Sequence, residues 1–308
     1  MIECVNCMLK KESNSTNLLY LIHAVTEQLL MPKNDIAHLL LNKLDIDISS
    51  LKASYLESVL NKRITETNTK DIESYIKMVE VDQGERRTLH YSLYNDYSHF
   101  FRNPLMFEFS ARQLLPKLIQ QKAENNGLLR MWTAGCASGE ESYTVAIILK
   151  ELFHQMNMEI PTTLIATDIE DRSLEKARQG VYSENAVGNV KHKYLEKYFH
   201  KRNNQYHICE CIKEMVILEK YDIADKYSYA PPSSIFGSFD IIGCRNVLIY
   251  FNEKSRQAAI NKFYRALKPD GLLVLGESEF LPDNLTNKFE RLNSILSIYR
   301  KKNIYEDA

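Results

Sequence analysis

A chain of 308 residues with 44% apolar and 26% charged side chains has the composition of an ordinary globular protein, with room for one large or two moderate domains. Its formal net charge of −1 excludes a global field that favours nucleic acid, so we expect no nucleic-acid partner. No apolar run is long enough to span a bilayer, and the first residues lack the apolar core of a signal peptide. This predicts a cytoplasmic protein with no direct membrane insertion.

The first hundred residues predict an N-terminal helical domain, which we place at residues 1–95. Apolar side chains recur there at helical spacing, without the alternation typical of strands. The stretches with this spacing are 18–30, 36–44, 55–59 and 72–79. Thr69 or Asp71 is the expected N-cap of the last of these helices.

From about Leu128 the pattern changes to apolar strands that alternate with helices, which predicts an α/β domain over residues 96–308. Such alternation is typical of a mainly parallel sheet with helices on both faces. The predicted strands are 128–134, 163–167, 215–221, 239–244, 271–276 and 295–300, and the predicted helices are 141–153, 172–178 and 253–267. A turn between two short strands predicts a small β insertion near 198–215.

Six cysteines in a chain of this length do not indicate a disulfide scaffold. Cys209 and Cys211 form a CxC pair, and Cys4 and Cys7 a CxxC pair, whereas a zinc site needs about four ligands. We therefore expect reduced thiols.

The predicted strand 239–244 leads directly into Arg245 and Asn246, and Tyr250 follows. In open α/β sheets, ligands bind at the carboxyl ends of the strands. Arg and Asn side chains are costly to bury unless their donors have a partner. The pattern therefore predicts a ligand site at this end of the strand.

The first predicted strand ends in a turn of small residues, from Gly135 to Gly139, followed by Glu140 and Glu141. Small residues let a ligand approach the backbone, and the helix that follows offers its N-terminus. The two glutamates argue against a phosphate, and the dinucleotide and P-loop fingerprints are absent from the sequence. A neutral or cationic nucleoside fits this turn. The alternative is a plain glycine turn whose glutamates complement the helix dipole.

Acidic residues follow the next two strands. Asp168 can accept both hydroxyls of a ribose, or it can cap the following helix. Asp222 and Ile223 either reach the edge of a base or form a simple turn. Both positions lie at the same edge of the predicted sheet as the glycine turn.

An FFR triplet, Phe100-Phe101-Arg102, precedes Asn103 and Pro104 upstream of the sheet. Its aromatic residues can belong to a domain hinge packed on the core, with Arg102 at the surface. Read together with the other motifs, Arg102 is instead a candidate site residue.

Taken together, these segments resemble the CheR family of chemotaxis receptor glutamate methyltransferases. The matching pieces span about Ser98 to Glu279, and the helical N-terminal region also fits. In order, they are the FFRNP segment 100–104, 132–143, Ala166–Ile169, 174–182, 244–251, Leu267–Gly271 and Gly276–Glu279.

The resemblance implies a Rossmann-like methyltransferase sheet and S-adenosylmethionine as methyl donor, with S-adenosylhomocysteine as product. Asp168 would hold the ribose, and Arg102 and Tyr250 would lie nearest the reacting methyl group as catalytic residues. The residues that would line the donor site are Asp96, Ser98, Arg102, Glu141, Asp168, Asp222, Ile223, Arg245 and Asn246.

This chain departs from the family pattern at four of these positions. Asp96 stands where Asn is common, Ser98 where Thr is usual, and Asp222-Ile223 where the family has Asn-Leu. In some relatives a glycine-rich turn of the β insertion docks a receptor tail peptide. The corresponding turn, residues 201–204, has no glycine, so we do not expect tail docking.

The expected function is methyl-ester formation on glutamates of the cytoplasmic domain of chemoreceptors, in chemotaxis adaptation, by a monomer. The alternatives are a related methyltransferase that acts on another protein or a small molecule, and a non-catalytic module that binds the donor or its product. In the helical domain, Lys52, Lys62 and Arg63 form either a basic face toward an acidic receptor helix or a solvated helix surface.

Overall fold

The computed structural model describes residues 40, 46–94, 98–234 and 237–302, and these fall into two compact units. One unit contains the described residues up to 49 together with Ala53–Leu93. The other contains residues 50–52 and the described residues from Tyr94 onward. No helix in these described stretches is long and apolar enough to cross a membrane.

The helical unit contains three described helices, α1 (Ala53–Glu66), α2 (Ile72–Val81) and α3 (Gln83–Leu93). Asp71 is the N-cap of α2, and its carboxylate accepts a hydrogen bond from the Ser74 N–H at 2.8 Å. This confirms Asp71 rather than Thr69 as the cap. The predicted helix at 18–30, and that at 36–44 apart from Leu40, lie outside the described residues.

Arg63 of α1 is bound inside the helical unit. Its Nε and Nη2 donate to the two carboxylate oxygens of Glu85 on α3 at 2.8 and 2.6 Å, and the Tyr75 hydroxyl of α2 donates to the same carboxylate at 2.8 Å. The side chains of Arg63 and Glu85 are 11% and 10% exposed. The Glu85 carboxylate therefore joins three helices through Arg63 and Tyr75, and the predicted place of Arg63 on a basic surface is wrong. Lys62, in contrast, is 72% exposed.

The second unit is an α/β domain around a seven-stranded sheet, in which the strand order is β6-β2-β1-β7-β8-β10-β9. The first five strands in this order run parallel, and β10 and β9 are antiparallel additions at one edge. The strands of this sheet are β1 (Leu129–Ala134), β2 (Thr162–Asp168), β6 (Val216–Lys220), β7 (Phe239–Cys244), β8 (Leu267–Leu275), β9 (Phe289–Arg291) and β10 (Ile298–Lys301). The α-helices of this unit are α4 (Pro104–Phe109), α5 (Leu115–Glu124), α6 (Glu140–Met156), α7 (Asp171–Gln179), α8 (His192–Tyr198), α9 (Glu210–Lys213) and α10 (Glu253–Ala266).

Helices cover both faces of this sheet, so every residue of β7 is buried. Successive side chains of a strand point to opposite faces. Accordingly, Ile241 belongs to the apolar cluster that contains α6, and Ile242 to the cluster that contains α10. The continuous apolar run predicted for this strand is therefore explained by burial on both sides, and the predicted fold class is confirmed.

A second, antiparallel sheet has the strand order β3-β5-β4, with β3 (Val181–Tyr182), β4 (Phe199–Arg202) and β5 (Gln205–Ile208). Asn203 and Asn204 connect β4 to β5 with φ values of 49° and 57°. Two successive residues with positive φ are typical of a type I′ hairpin turn, which Asn tolerates, so this turn needs no glycine. The small sheet also takes in β3, which lies upstream of the predicted insertion.

Cys209 and Cys211, which follow β5, are joined by a disulfide. The expectation of reduced thiols is therefore wrong for this pair, because the turn into α9 brings their Cα atoms within 5.4 Å. Cys136 and Cys244 are free and buried, as expected. Cys4 and Cys7 lie outside the described residues.

The predicted boundaries differ most at β8, which begins at Leu267 rather than Gly271. The Lys-Pro-Asp-Gly sequence at 268–271 predicts a stop and a turn, but these residues form an irregularity within the strand pair. Phe239 pairs with Leu267, and the next partners are Ile241 and Leu272. The turn residues are thus accommodated without ending the strand.

Candidate active site

The glycine turn connects β1 to α6 at the carboxyl edge of the sheet. The N–H groups of Gly135 and Cys136 both donate to the Thr167 carbonyl at 2.8 Å, which joins the ends of β1 and β2. Gly135 has a φ of 74°, and a Cβ at this position would lie 2.4 Å from a methyl group of Val247. Only glycine fits here, because both the backbone angle and the space exclude a side chain.

Asp168 ends β2 beside this turn. Its Oδ2 accepts the Ala137 N–H at 2.8 Å, and its Oδ1 accepts the Glu170 N–H at 3.0 Å. The N-cap of α7 is Glu170, so the capping alternative does not describe Asp168. Because a carboxylate oxygen can accept two hydrogen bonds, these contacts orient the group and are compatible with a diol ligand.

Arg245, immediately after β7, connects three segments of the site. Its Nη1 donates to Oε2 of Glu141 at 2.8 Å, and its Nη2 donates to the Arg102 carbonyl at 2.9 Å and to Oδ1 of Asn103 at 3.1 Å. The guanidinium also lies over the Phe107 ring, 5.0 Å from its centroid. With its side chain 2% exposed, Arg245 is an internal cation that binds the FFR segment to the start of α6.

Glu141 is the anionic partner of this cation. Burial raises the pKa of the Glu141 carboxyl, and the charge and hydrogen bond of Arg245 oppose that rise. The nearby charges of Glu279 and Arg102 act in opposite directions on the same pKa, Glu279 raising it and Arg102 lowering it. The cations therefore favour the charged form of Glu141 in a place where burial disfavours it.

Two strained residues flank Arg102: Phe101 has a φ of 52° and Asn103 a φ of 62°. A non-glycine residue in the left-handed region persists only when its surroundings hold it. The Phe101 N–H donates to Oγ1 of Thr144 at 3.1 Å, and Arg245 binds Asn103. Arg102 itself is partly buried, and Phe101 is packed on the apolar core, as the hinge alternative expects.

The turn after β7 carries Asn246, in the left-handed region with a φ of 61°, and ends in a short 3-10 helix, Leu248–Tyr250. The Tyr250 side chain is partly buried, and its carbonyl accepts the Lys52 N–H at 2.8 Å. Glu279, from the loop after β8, binds the N–H groups of this turn. Asn246 and Tyr250 are thus brought to the carboxyl edge by one turn.

The loop after β6 lies next to Asp168, because the Tyr221 N–H donates to the Asp168 carbonyl at 3.0 Å. Asp222 accepts the Ala224 N–H at 2.7 Å, and Ile223 is buried in the apolar cluster of α10. Lys262 of α10 holds this loop: its Nζ donates to the Tyr221 hydroxyl at 2.9 Å and to the Asp225 carbonyl at 2.7 Å. Burial lowers the pKa of the Lys262 ammonium.

A family model described as "CheR methyltransferase, SAM binding domain" matches residues 96–297, and one described as "CheR methyltransferase, all-alpha domain" matches residues 34–94. The chain belongs to the CheR methyltransferase family. It is an S-adenosylmethionine-dependent methyltransferase, and the predicted enzyme class and methyl donor are confirmed.

Curated relatives of this CheR methyltransferase include chemotaxis methyltransferases of several bacteria. The chain is 33% identical over 268 residues to a chemotaxis protein methyltransferase of Borreliella burgdorferi, covering 85% of this chain and 90% of the relative. It is 28% identical over 261 residues to chemotaxis protein methyltransferase 2 of Vibrio cholerae, covering 84% and 85%. It is also 28% identical over 252 residues to the Escherichia coli chemotaxis protein methyltransferase, covering 79% and 82%.

The residues at the carboxyl edge of this CheR methyltransferase fit S-adenosylmethionine. A Cβ at Gly135 would collide with Val247, so only glycine allows the tight turn at this edge. The anchored Asp168 carboxylate is compatible with a ribose diol. The Nε of Arg245 is buried without a hydrogen-bond partner, which leaves one donor in the site for an acceptor.

The structure brings most of the predicted site residues to one edge of one sheet. Ser98 is partly buried two residues before Phe100, whose N–H donates to the Ala186 carbonyl at 3.0 Å. Asp96 lies outside the described residues. The roles of the predicted residues toward the donor remain predictions, as does the domain boundary at residue 95.

Several residues that hold this CheR site together were not among the predicted site residues: Asn103, Thr144, Thr167, Lys262 and Glu279. Asn103, Thr167 and Glu279 lie inside motif pieces that carry the family resemblance, so their position in those pieces was the available signal. The partners of Thr144 and Lys262 are distant in sequence, and no local pattern predicts such contacts.

Proposed function

We propose that this CheR methyltransferase forms methyl esters on glutamates in the cytoplasmic domain of chemoreceptors, and that it acts in the cytoplasm as a monomer. The family match and the chemotaxis methyltransferases among its relatives support this proposal. The observation that carries it is the Arg245 network, which holds the main chain of Arg102 against Glu141 at the edge where ligands of such sheets bind.

A glutamate carboxylate is already ionised at pH 7, so methyl-ester formation needs no strong general base. When bound, S-adenosylmethionine would supply a sulfonium methyl group, which passes to the carboxylate oxygen as the bond from carbon to sulfur breaks and S-adenosylhomocysteine leaves. The protein then contributes mostly orientation, which can account for several kcal/mol of barrier reduction. This agrees with a site built from hydrogen-bonded main chain and the Arg245–Glu141 ion pair.

Arg102 is the residue proposed to orient the incoming carboxylate, through charge-assisted hydrogen bonds. The left-handed conformations of Phe101 and Asn103 fix its main chain on both sides. Arg245 and Thr144 hold those two neighbours in place. The main chain that carries Arg102 is therefore held by an internal network.

Tyr250 is the residue proposed to keep donor and acceptor in line. It ends the turn that also carries Asn246, and its ring packs against the apolar cluster of α10. Asp168 is assigned to the ribose. The remaining donor contacts are assigned to Asp96, Ser98, Glu141, Asp222, Ile223, Arg245 and Asn246.

Incubation of the protein with S-adenosylmethionine carrying a labelled methyl group, together with receptor cytoplasmic fragments, tests this function. We expect base-labile label on the fragments and none on fragments whose acceptor glutamates are replaced by alanine. Base-stable label, or label on a small molecule, would contradict glutamate esterification. Donor binding without any transfer would indicate a non-catalytic module. Light scattering on the purified protein checks the monomer.

A further inference from the structure

Glu279 binds four main-chain N–H groups with one carboxylate. Its Oε2 accepts Gly276 N–H at 2.6 Å and Asn246 N–H at 2.9 Å, and its Oε1 accepts Val247 N–H at 2.9 Å and Ile249 N–H at 3.2 Å. Glu279 is 3% exposed. A carboxylate with this many amide donors is a fixed internal anion rather than a surface charge.

The turn from Asn246 to Tyr250 depends on this anion. The turn lies between β7 and α10, and three of its N–H groups donate to the Glu279 carboxylate. Buried N–H groups without an acceptor are costly, and Asn246 is held in the left-handed region. Glu279 supplies the missing acceptors, so the conformation of the turn follows from its carboxylate.

The same turn touches the glycine turn of β1. Gly135 accommodates the Val247 side chain so closely that a Cβ there would lie 2.4 Å from it. A displacement of Val247 would therefore be transmitted to the turn that faces the donor, while a displacement of Ile249 would move Tyr250. The position of the Glu279 carboxylate therefore affects both the glycine turn and Tyr250.

Gly276 belongs to this arrangement as well. A Cβ on Gly276 would lie 2.6 Å from Oε2 of Glu279 and 2.9 Å from the Asn246 nitrogen. The position must remain glycine for the carboxylate to reach its four donors. Gly276 and Glu279, both after the end of β8, therefore act together to hold the Asn246–Tyr250 turn.

We propose that Glu279 is a positioning residue for methyl transfer, which holds the Asn246–Tyr250 turn in the geometry needed for donor binding and for alignment of the methyl group. Glu279 itself touches neither reactant. The turnover part of this inference rests on the proposed function, whereas the donor-binding part rests only on the S-adenosylmethionine site.

Glu279→Gln tests the inference, because glutamine keeps the shape but replaces one acceptor oxygen by an NH₂ that faces amide donors. We expect about a hundredfold lower kcat and about tenfold weaker donor binding by calorimetry, with the acceptor KM changed less than about threefold. Gly276→Ala should act in the same direction. Since both changes release the same contacts, their effects in the double variant should be clearly less than additive.

Asp240→Asn is the matched control. Asp240 is another buried carboxylate, at the opposite end of β7, and it binds Arg130 N–H at 2.8 Å and the ammonium groups of Lys122 and Lys268 at 2.6 and 2.9 Å. Its loss should lower thermal stability while kcat and donor affinity of the folded protein stay at wild-type values.

Wild-type kcat and donor affinity in folded Glu279→Gln, or in Gly276→Ala if the first variant does not fold, would overturn the inference. Additive effects in the double variant would also contradict it. If the wild-type protein binds the donor but methylates no receptor fragment, the proposed function fails. The donor affinity of the Glu279 variant then still decides the positioning role.

Discussion

Arg245 and Glu141 are 104 positions apart in sequence and form a partly buried ion pair in the site, with Nη1 and Oε2 2.8 Å apart and side chains 2% and 20% exposed. The same guanidinium binds the Arg102 carbonyl and Asn103, so the pair joins the FFR segment to the helix that follows the glycine turn. An interior pair of this kind contributes little net stability but is costly to break on one side. In this protein the ion pair mainly fixes the position of the FFR segment relative to α6.

Replacing Arg245 by methionine should therefore destabilise the protein by about 3 kcal/mol at neutral pH, because Glu141 is left without its cation. The deficit should shrink toward about pH 4.5. Burial already raises the pKa of Glu141 above the ordinary value of 4.5, and loss of the guanidinium raises it further. A carboxyl with a raised pKa favours the native state at low pH, and this contribution is lost as the pH rises through the native pKa.

Denaturant unfolding at about pH 7.5 and about pH 4.5 measures this difference. Arg300→Met is the control, since Arg300 and Glu290 form an exposed pair with side chains 45% and 54% exposed. We expect a change within about 0.5 kcal/mol for that variant. A deficit of Arg245→Met that stays constant with pH would show that Glu141 does not carry the effect.

Asp168→Asn should weaken donor binding about tenfold to a hundredfold, which corresponds to the loss of about 1.5–3 kcal/mol of charge-assisted hydrogen bonding. Calorimetry with S-adenosylhomocysteine gives the affinity without turnover. Asp171→Asn, three residues further on and with a side chain 74% exposed, is the matched control and should bind normally. Equal affinities of the two variants would remove Asp168 from the ribose site.

Arg102→Ala should lower kcat about a hundredfold while donor affinity changes much less, because the proposed partner of Arg102 is the acceptor carboxylate. Arg102→Lys should recover only part of the rate, since an ammonium lacks the planar fork of a guanidinium.

Tyr250→Phe should lower kcat by a smaller factor, about tenfold, because only the hydroxyl is lost and the ring still packs. Single-turnover methylation of receptor fragments measures the rate. Arg112→Ala, with Arg112 77% exposed on the surface, is a control for general loss of positive charge in these measurements. A wild-type rate in Arg102→Ala or in Tyr250→Phe would exclude that residue from the mechanism.

Arg63→Met should destabilise the helical unit by about 3 kcal/mol, because the Glu85 carboxylate, to which Tyr75 also donates, loses its cation. Its neighbour Lys62 is 72% exposed and pairs only loosely with Glu66, so Lys62→Met should change stability by less than about 1 kcal/mol. Thermal unfolding compares the two variants. If both behave alike, the buried ion pair is not what joins the three helices.

Local sequence patterns were sufficient wherever neighbouring residues decide the structure. The strand at Phe239–Cys244 matches its predicted bounds because an unbroken apolar run is typical of a strand buried on both faces. Asp71 caps its helix through a contact only three residues long. The start of β8 was predicted wrongly from the Lys-Pro-Asp-Gly segment at 268–271, because strand pairing with β7 overrides the turn preference of this segment.

Short-range patterns could not reveal the contacts that shape the site. The sequence placed Arg245, Asn246 and Asp168 at strand ends, where a parallel sheet collects them at one edge. It could not show that Arg245 binds Glu141 and Arg102, that Glu279 holds the Asn246 turn, or that Arg63 is internal. Such partners lie tens of residues away, and only the packing of the sheet, its loops and its helices determines which buried donor meets which acceptor.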